Sequence, residues 1–191
     1  MKTKEVIYQD IKNVVEGRII SDCYLYKEEP FTLASGKQSN HYFNLRKIVF
    51  DPTTLFDIVK LFMYKIEKIG FPNYLANPTL GADAITYSCC NRFLQKGQVI
   101  YPLIVRKEKK KHGTNNLVEG IITPFEEMKT TVLEDVCTTG GSTLKVVNAL
   151  RNLELKVENA ICLLDREEGA TELLEENGIK LYSIFKKSEF I

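Results

Sequence analysis

The segment T-V-L-E-D-V-C-T-T-G-G-S, residues 131–142, decides the fold that this sequence predicts. It begins with an apolar run that contains β-branched residues and indicates a buried strand. Two adjacent carboxylates, Glu134 and Asp135, stand at the end of that run, and a turn of small residues follows. Beyond the turn, leucine and valine recur at helical spacing through residues 144–150. The segment therefore predicts a strand, a turn and a helix in direct succession.

The turn has the chemistry of a phosphate site. It combines three hydroxyl residues with two glycines: Thr138, Thr139, Gly140, Gly141 and Ser142. At the N-terminus of a helix the backbone N–H groups are free and the helix dipole is positive, so both favour an anion. The glycines let the backbone approach that anion without Cβ atoms in the way. We therefore predict that the turn binds a phosphate dianion.

The two carboxylates need a different partner, because Glu134 and Asp135 would repel a bare phosphate. Carboxylates accept hydrogen bonds from the vicinal diol of a sugar, as the acidic residue of dinucleotide-binding folds does for ribose. A ligand with a phosphate on one side and a free diol beside it is ribose 5-phosphate. The segment thus indicates a phosphoribosyl site. The ordinary alternative is an acidic pair at the solvated edge of a strand-to-helix turn, which is common in α/β proteins.

Composition limits the other possibilities. The 191 residues fit one domain, residues 1–191, and their net charge of +1 gives no overall attraction to nucleic acid or to an anionic membrane. No apolar run is long enough to span a membrane, and the first residues lack the core of a signal peptide. The five cysteines include no C-x-x-C pair, which argues against a disulfide framework and a zinc site. We therefore expect a cytoplasmic protein that binds neither nucleic acid nor membrane.

Periodicity predicts several further elements. A helix near the N-terminus would bury one apolar face, made of Val6, Ile7, Ile11, Val14 and Val15. The chain would then turn at residues 28–30 and form a hairpin within residues 31–46. A second helix would begin after the N-cap residue Asp51 and end at Gly70. Further strands are expected at residues 74–76, 99–105, 157–164 and 179–185.

The strand, the acidic pair and the turn, in this order and spacing, resemble the binding motif for 5-phosphoribosyl 1-pyrophosphate (PRPP) of the type I phosphoribosyltransferases. The resemblance implies an α/β fold of that type, with a central, mostly parallel sheet flanked by helices and a small hood lobe built from about residues 1–45. It also implies that the carboxylates hold the ribose diol of PRPP and that the turn holds its 5-phosphate. The implied PRPP-binding residues in this segment are Glu134, Asp135, Val136, Cys137, Thr138, Thr139, Gly140, Gly141 and Ser142.

Residues 31–46 have the sequence F-T-L-A-S-G-K-Q-S-N-H-Y-F-N-L-R. By themselves they predict only a polar turn between two strands. Beside the motif above, they resemble the F-x-L-x-S-G-x-x-S-x-x-Y segment of the orotate phosphoribosyltransferases, in which the hairpin lies over the base and the pyrophosphate. The resemblance implies that Tyr42 and Phe43 contact the pyrimidine ring of orotate. Some members of that family have a lysine at the position of Ala34, and Lys37 is close by.

A dense cationic run, R-K-E-K-K-K-H-G, occupies residues 106–113. Such a run is usually a solvated surface, and a nucleic-acid patch is disfavoured because no aromatic residue is interleaved. The run resembles the R-K-x-x-K-x-H-G catalytic loop of the same family, which closes over the pyrophosphate and reaches into the neighbouring subunit of a homodimer. The cations that the resemblance assigns to this lid over PRPP are Arg106, Lys107, Lys110 and His112.

Another predicted strand ends in L-L-D-R-E-E-G-A, residues 163–170. An arginine beside acidic residues there is consistent with a simple ion pair, but the segment also resembles the D-R-x-x-G element of the same family. That resemblance implies that Arg166 binds the carboxylate of orotate, with Thr138 as a second orotate contact. A turn around Pro78 and Gly81 corresponds, in the same family, to a loop that holds pyrophosphate through backbone amides.

Together these resemblances imply an orotate phosphoribosyltransferase. Such an enzyme transfers the 5-phosphoribosyl group of PRPP to orotate and yields orotidine 5-phosphate and pyrophosphate in pyrimidine (UMP) biosynthesis. Its catalytic residues would be Lys110, His112, Glu134 and Asp135. Mg²⁺ would be the cofactor, held mainly through PRPP, with Glu134 and Asp135 as the candidate protein ligands. Two alternatives stay open: a phosphoribosyltransferase for another base, such as a purine, and a PRPP-sensing regulator without the chemistry.

The lid assignment predicts the effect of one substitution. Lys110→Ala should lower the turnover of PRPP far more than it lowers the free energy of unfolding, because an exposed lid residue contributes little to folding. Steady-state kinetics and urea unfolding measure the two effects. Lys109→Ala, in the same charge run but outside the resembling pattern, is the matched control and should keep its turnover. Equal loss of turnover and stability in Lys110→Ala would contradict the assignment.

Overall fold

The structure is a computed structural model that describes residues 2–32, 38–108, 116–124 and 127–191. Its helices are α1 (Lys4–Arg18), α2 (Arg46–Val49), α3 (Pro52–Ile69), α4 (Asp83–Gln95), α5 (Gly141–Arg151) and α6 (Ala170–Glu176). Its strands are β1 (Tyr24–Thr32), β2 (Gln38–Phe43), β3 (Tyr74–Pro78), β4 (Tyr101–Val105), β5 (Val118–Gly120), β6 (Lys129–Cys137), β7 (Lys156–Asp165) and β8 (Lys180–Lys186). A π-helical turn (Ile19–Cys23) follows α1, and a 3₁₀ turn (Lys187–Glu189) follows β8.

Within the described residues, six strands form the central sheet in the order β5-β4-β3-β6-β7-β8. Neighbouring strands from β4 to β8 pair in parallel, and the short edge strand β5 is antiparallel to β4. Starting from β3, the chain first adds β4 and β5 on one side and then β6, β7 and β8 on the other side. In open sheets of this kind, ligands bind outside the carboxyl ends of the strands where the order reverses. The predicted central, mostly parallel sheet flanked by helices is confirmed.

Helices cover both faces of the sheet, which explains the near-continuous apolar strands. On one face α1, α3 and α4 share a hydrophobic cluster with the strands, and on the other face α5 and α6 share a second cluster. Successive side chains of β6 alternate between the two. Leu133 lies in the cluster with α3 and α4, whereas its neighbour Val132 lies in the cluster with α5 and α6. The strand that carries the acidic pair is therefore fixed from both sides.

The N-terminal hairpin forms a small sheet of its own. β1 and β2 pair antiparallel, from Tyr24 opposite Phe43 to Thr32 opposite Gln38. The predicted turn at residues 28–30 is wrong, because the strand continues through it with a shift in register between Tyr26 and Phe31. The Asn40 side chain bridges this irregular stretch by donating hydrogen bonds to the backbone carbonyls of residues 27 and 28. The loop of residues 33–37, with Ala34 and Lys37, lies outside the described residues.

The helix predicted at the N-terminus exists, but its predicted apolar face is wrong. Val15 is fully buried, whereas Val14 is 57% exposed, and Val6 and Ile7 are also exposed. The stripe that packs on the core instead consists of Tyr8, Ile11 and Val15. Tyr8 stacks on Tyr64 of α3 with 4.4 Å between ring centroids. The second helix, α3, begins at its N-cap Asp51 and ends at Gly70, as predicted.

The cysteines and the character of the helices bear on the remaining predictions. All five cysteines are buried free thiols. Among the described residues, no helix combines the length and the apolar character that crossing a bilayer requires.

The two adjacent valines of α1 give a direct test of this packing. Val15→Ala should lower the free energy of unfolding by about 2 kcal/mol, because it leaves a cavity in a filled core. Val14→Ala makes the same chemical change on the exposed side and should shift stability by no more than about 0.5 kcal/mol. Urea unfolding of both variants measures the difference. Equal effects would show that the helix packs in another rotation about its axis.

Candidate active site

A cleft with a volume of about 1020 Å³ opens at the carboxyl ends of the parallel strands. The loops that follow four of these strands line it, on both sides of the point where the strand order reverses. Its lining includes Thr79, Leu80 and Gly81 after β3, Arg106 and Lys107 after β4, Thr138 to Ser142 after β6, and Arg166 after β7. Segments far apart in sequence thus meet at one edge of the sheet.

The acidic pair forms one wall of the cleft at the end of β6. Glu134 is buried, and its Oε2 accepts a hydrogen bond of 2.8 Å from the Thr143 hydroxyl and a longer one of 3.4 Å from the Ser142 hydroxyl. Burial raises the pKa of Glu134 to about 8, and the Thr143 hydrogen bond opposes that shift. Burial also raises the pKa of Asp135, while its hydrogen bond from the Val136 N–H and the charge of Arg46 oppose it. Both carboxylates therefore favour a partner that donates hydrogen bonds or carries positive charge.

The predicted phosphate loop lies between this pair and α5. Gly140, at the N-cap of α5, has a left-handed φ of 77°, and a Cβ there would come within 3.2 Å of the Ala170 backbone. The Leu144 N–H donates to the Gly140 carbonyl at 2.9 Å, so the N–H groups of the preceding turn have no intrahelical acceptor. Because residues 138–142 line the cleft, these donors stand where an anion can bind.

The loop after β3 packs directly against the acidic pair. A Cβ at Gly81 would lie 2.2 Å from a carboxylate oxygen of Asp135, so any larger residue there must displace that carboxylate or the loop. The Asn77 side chain donates to Asp83 Oδ1 at 2.5 Å and to the Pro78 carbonyl at 3.0 Å, which holds both ends of the loop. The sequence predicts the turn at Gly81 but not its contact with Asp135.

Arg166 enters the cleft from the end of β7. Its backbone N–H donates to the Cys137 carbonyl at 2.8 Å, and Asp165 shapes the loop by accepting from the Glu167 N–H at 2.8 Å. The guanidinium is buried, and its Nη2 lies 3.2 Å from Glu168 Oε1. Neither Nε nor Nη2 makes a hydrogen bond of good geometry within the described residues. A buried cation with unsatisfied donors suits a carboxylate ligand.

The cleft brings together most of the residues that the sequence singled out. The residues from the predicted set that line it are Arg106, Lys107, Glu134, Asp135, Val136, Thr138, Thr139, Gly140, Gly141, Ser142 and Arg166. Lys110 and His112 lie outside the described residues. Cys137 is buried behind the loop, in contact with Cys162 and Ala170, and does not line the cleft.

The two predicted aromatic contacts are not among the residues that line the cleft. Neighbouring residues of a strand point to opposite faces, so Tyr42 and Phe43 cannot both face one ligand from a flat strand. The Phe43 ring packs in the core, 5.1 Å from Tyr24 and 5.6 Å from Phe190 between centroids. The Tyr42 ring lies 5.3 Å from Phe31 and is partly exposed. The geometry of this chain gives no support to a base contact by Phe43.

Two cationic residues that line the cleft were not predicted from the sequence. Arg46, at the start of α2, lines the cleft and acts on Asp135 through its charge. Lys145 lines the cleft from α5. The arginine that closes the hairpin segment was visible in the sequence, but only the fold shows that α2 carries it to the acidic pair.

Comparisons with known proteins identify relatives of this chain. No family model matches the chain. The orotate phosphoribosyltransferase of Leptospira biflexa is 43% identical over 170 residues, which cover 87% of this chain and 90% of that protein. The orotate phosphoribosyltransferase of Aquifex aeolicus is 44% identical over 165 residues, 86% and 88% of the two chains.

Solved structures show the same architecture. The Mycobacterium tuberculosis orotate phosphoribosyltransferase in complex with PRPP superposes with a TM-score of 0.72 at 24% identity, covering 95% of this chain and 98% of that one. The fold is that of a type I phosphoribosyltransferase. Given the sequence identities to the Leptospira and Aquifex enzymes, the chain belongs to the orotate phosphoribosyltransferase family.

The contact between Gly81 and Asp135 predicts a loss of function by steric means. Gly81→Ala should lower kcat/KM for PRPP by at least tenfold, because the new methyl group displaces the Asp135 carboxylate or the loop. Gly17→Ala on α1, where a Cβ meets nothing within 4 Å, is the matched control and should keep full activity. Normal kinetics in Gly81→Ala would refute the assignment of Asp135 to the site.

The pKa of Glu134 predicts a pH-dependent stability. The unfolded chain loses this proton near the ordinary value of 4.5, whereas the folded chain keeps it until about pH 8. Between these values the folded state binds more protons, so this group makes stability fall as pH rises. Urea unfolding at about pH 5 and about pH 8 should show a fall for the native chain that is larger than for Glu134→Gln. The reverse order would mean that the folded site stabilises the charged carboxylate.

Proposed function

We propose that this chain transfers the 5-phosphoribosyl group of PRPP to orotate, with release of pyrophosphate and formation of orotidine 5-phosphate. One observation carries the proposal: an acidic pair and a helix N-terminus with free N–H groups share one cleft with a buried arginine, whose Nε and Nη2 make no hydrogen bond of good geometry among the described residues. Family membership agrees with this assignment. The product serves pyrimidine biosynthesis.

The ribose 5-phosphate part of PRPP fits the end of β6. The free N–H groups at the start of α5 and the hydroxyls of Thr138, Thr139 and Ser142 would hold the 5-phosphate. Glu134 and Asp135 would accept hydrogen bonds from the ribose diol and lie beneath the sugar ring. Because the transition state has oxocarbenium character, two fixed carboxylates beneath the ring stabilise its positive charge.

The pyrophosphate would leave toward the loops after β3 and β4. The bond from C1 of the ribose to the pyrophosphate oxygen breaks while N1 of orotate bonds to C1, so no covalent intermediate with the protein is needed. Arg106 and Lys107 line this side of the cleft, and Glu119 holds Arg106 through an ion pair of 2.9 Å. Lys110 and His112, which follow in the same segment, are proposed to complete the neutralisation of the leaving group.

Orotate differs from uracil by one carboxylate, and Arg166 is the proposed partner of that group. Its unsatisfied donors support this role, since a planar guanidinium binds a carboxylate through two parallel hydrogen bonds. Thr138, at the start of the phosphate loop, lines the cleft and is the proposed second contact.

Mg²⁺ is the proposed cofactor, and the donor set fits it. Glu134 and Asp135 supply hard carboxylate oxygens at the wall of the cleft, and burial raises the pKa of both. Among the described residues, no group of three acidic, histidine or cysteine side chains can hold a metal by itself. These residues suit an ion held mainly through substrate oxygens. When bound, Mg²⁺ supplies positive charge to the pyrophosphate.

Two further properties belong to the proposal. A homodimer would let Lys110 and His112 of the lid segment serve the neighbouring cleft, while Arg106 and Lys107 line their own. A cytoplasmic location is supported by five buried thiols without a disulfide, which is typical of a reducing compartment.

Orotate absorbance followed in time with PRPP and Mg²⁺ tests the reaction, with adenine, hypoxanthine and uracil as alternative bases. We expect Mg²⁺-dependent loss of orotate and no reaction of the three other bases. Reaction of a purine instead would identify a transferase for another base. Binding of PRPP without any turnover would favour a regulator.

The role of Arg166 has its own test. Arg166→Lys keeps the charge but loses the two-point geometry, so KM for orotate should rise by about tenfold or more while KM for PRPP changes little. Arg92→Lys on α4, where Arg92 bonds to Gln95 outside the cleft, is the matched control. If both Michaelis constants rise together in Arg166→Lys, the arginine supports the fold of the site and not the base.

A further inference from the structure

The hydroxyl of Thr143 connects the two halves of the proposed sugar-phosphate site. Thr143 is the third residue of α5, is fully buried and is not among the residues that line the cleft. Its Oγ1 donates to Glu134 Oε2 at 2.8 Å and lies 3.7 Å from Cys137 Sγ. The side chain therefore cannot touch a ligand, yet it joins the helix that begins at the phosphate loop to the carboxylate that faces the diol.

Ser142 cannot replace Thr143 in this role. Its hydroxyl also points toward Glu134 Oε2, but at 3.4 Å and from the surface of the cleft. A hydroxyl has one proton to donate, so Ser142 loses its bond to Glu134 when it donates to a bound phosphate. Thr143 has no such alternative, because it is buried away from the ligand. When the loop holds a phosphate, Thr143 is the donor that stays with Glu134.

The hydrogen bond between Thr143 and Glu134 is important because one ligand must reach both the loop and the carboxylate. Ribose 5-phosphate carries its phosphate and its diol on one small molecule, so the few bonds between them limit their separation. A protein that holds both must keep the loop and the carboxylate at the same separation before the ligand arrives. Within the described residues, both side-chain hydrogen bonds to the Glu134 carboxylate come from the first turn of α5.

We propose that Thr143 is a positioning residue that fixes Glu134 relative to the phosphate loop, so that one ligand reaches both. It thereby selects phosphorylated ribose over simpler phosphates, without contact to either. The inference rests on the proposed function in one respect, the phosphoribosyl nature of the ligand.

The test compares two ligands on the same protein. Calorimetric titration with inorganic phosphate measures the loop alone, and titration with ribose 5-phosphate measures the loop and the diol together. Thr143→Val removes the hydroxyl at nearly constant volume. It should weaken the binding of ribose 5-phosphate by about tenfold or more, which is the usual effect of losing a hydrogen bond to a charged group. The affinity for inorganic phosphate should change by less than about twofold. In turnover, KM for PRPP should rise while KM for orotate stays the same.

Two variants act as controls. Thr143→Ser keeps the donor and should restore the affinity for ribose 5-phosphate. Thr86→Val makes the same change at a buried threonine of α4 whose hydroxyl has no hydrogen-bond partner among the described residues, so neither affinity should change. Thr143→Ala, which puts no new atom against Glu134, gives the same comparison if valine impairs folding.

Each other outcome overturns the proposal. Equal weakening of phosphate and ribose 5-phosphate would mean that Thr143 supports the fold of the loop. Unchanged ribose 5-phosphate affinity, or failure of Thr143→Ser to restore it, would mean that the hydrogen bond does not position Glu134. If the native chain itself binds ribose 5-phosphate no more tightly than phosphate, the ribose site fails, and this role of Thr143 fails with it.

Discussion

A carboxylate buried at the end of a central strand is the constraint on which the site depends. Removing Glu134 from water is unfavourable unless donors compensate its oxygens, and those donors come from the first turn of α5. The strand and the helix must therefore stay in register, and the phosphate loop between them is held at both ends. The unfavourable burial of Glu134 thus occurs at the place where the proposed ligand binds.

The other loops of the cleft are arranged around the same strand end. Gly81 packs against Asp135, and the backbone of Arg166 bonds to the carbonyl of Cys137. Each contact joins a neighbouring strand to β6. Because the core on both faces of the sheet fixes β6, these contacts give the cleft a rigid floor.

Sequence predicted the parts of the site that are local. The acidic pair, the loop and the start of α5 are contiguous, so their chemistry and spacing could be recognised together. Arg46 and the fit of Gly81 against Asp135 could not be derived, because they depend on which strands become neighbours. The apolar face predicted for α1 was also wrong. The apolar residues of this helix do not all lie on one side, and the side that packs on α3 is the one with Tyr8 and Val15. In β1, the proline-containing stretch that predicts a turn is instead an irregularity of the strand, where the pairing with β2 skips residues 27–30.

The burial of Glu134 also makes ligand binding depend on pH. With a pKa of about 8, the carboxyl of the free site holds a proton through most of the neutral range. A sugar diol donates stronger hydrogen bonds to the ionised carboxylate than to the neutral carboxyl, so loss of that proton favours the diol. The site would then bind ribose more weakly in acid and take its substrate more readily as its surroundings become alkaline.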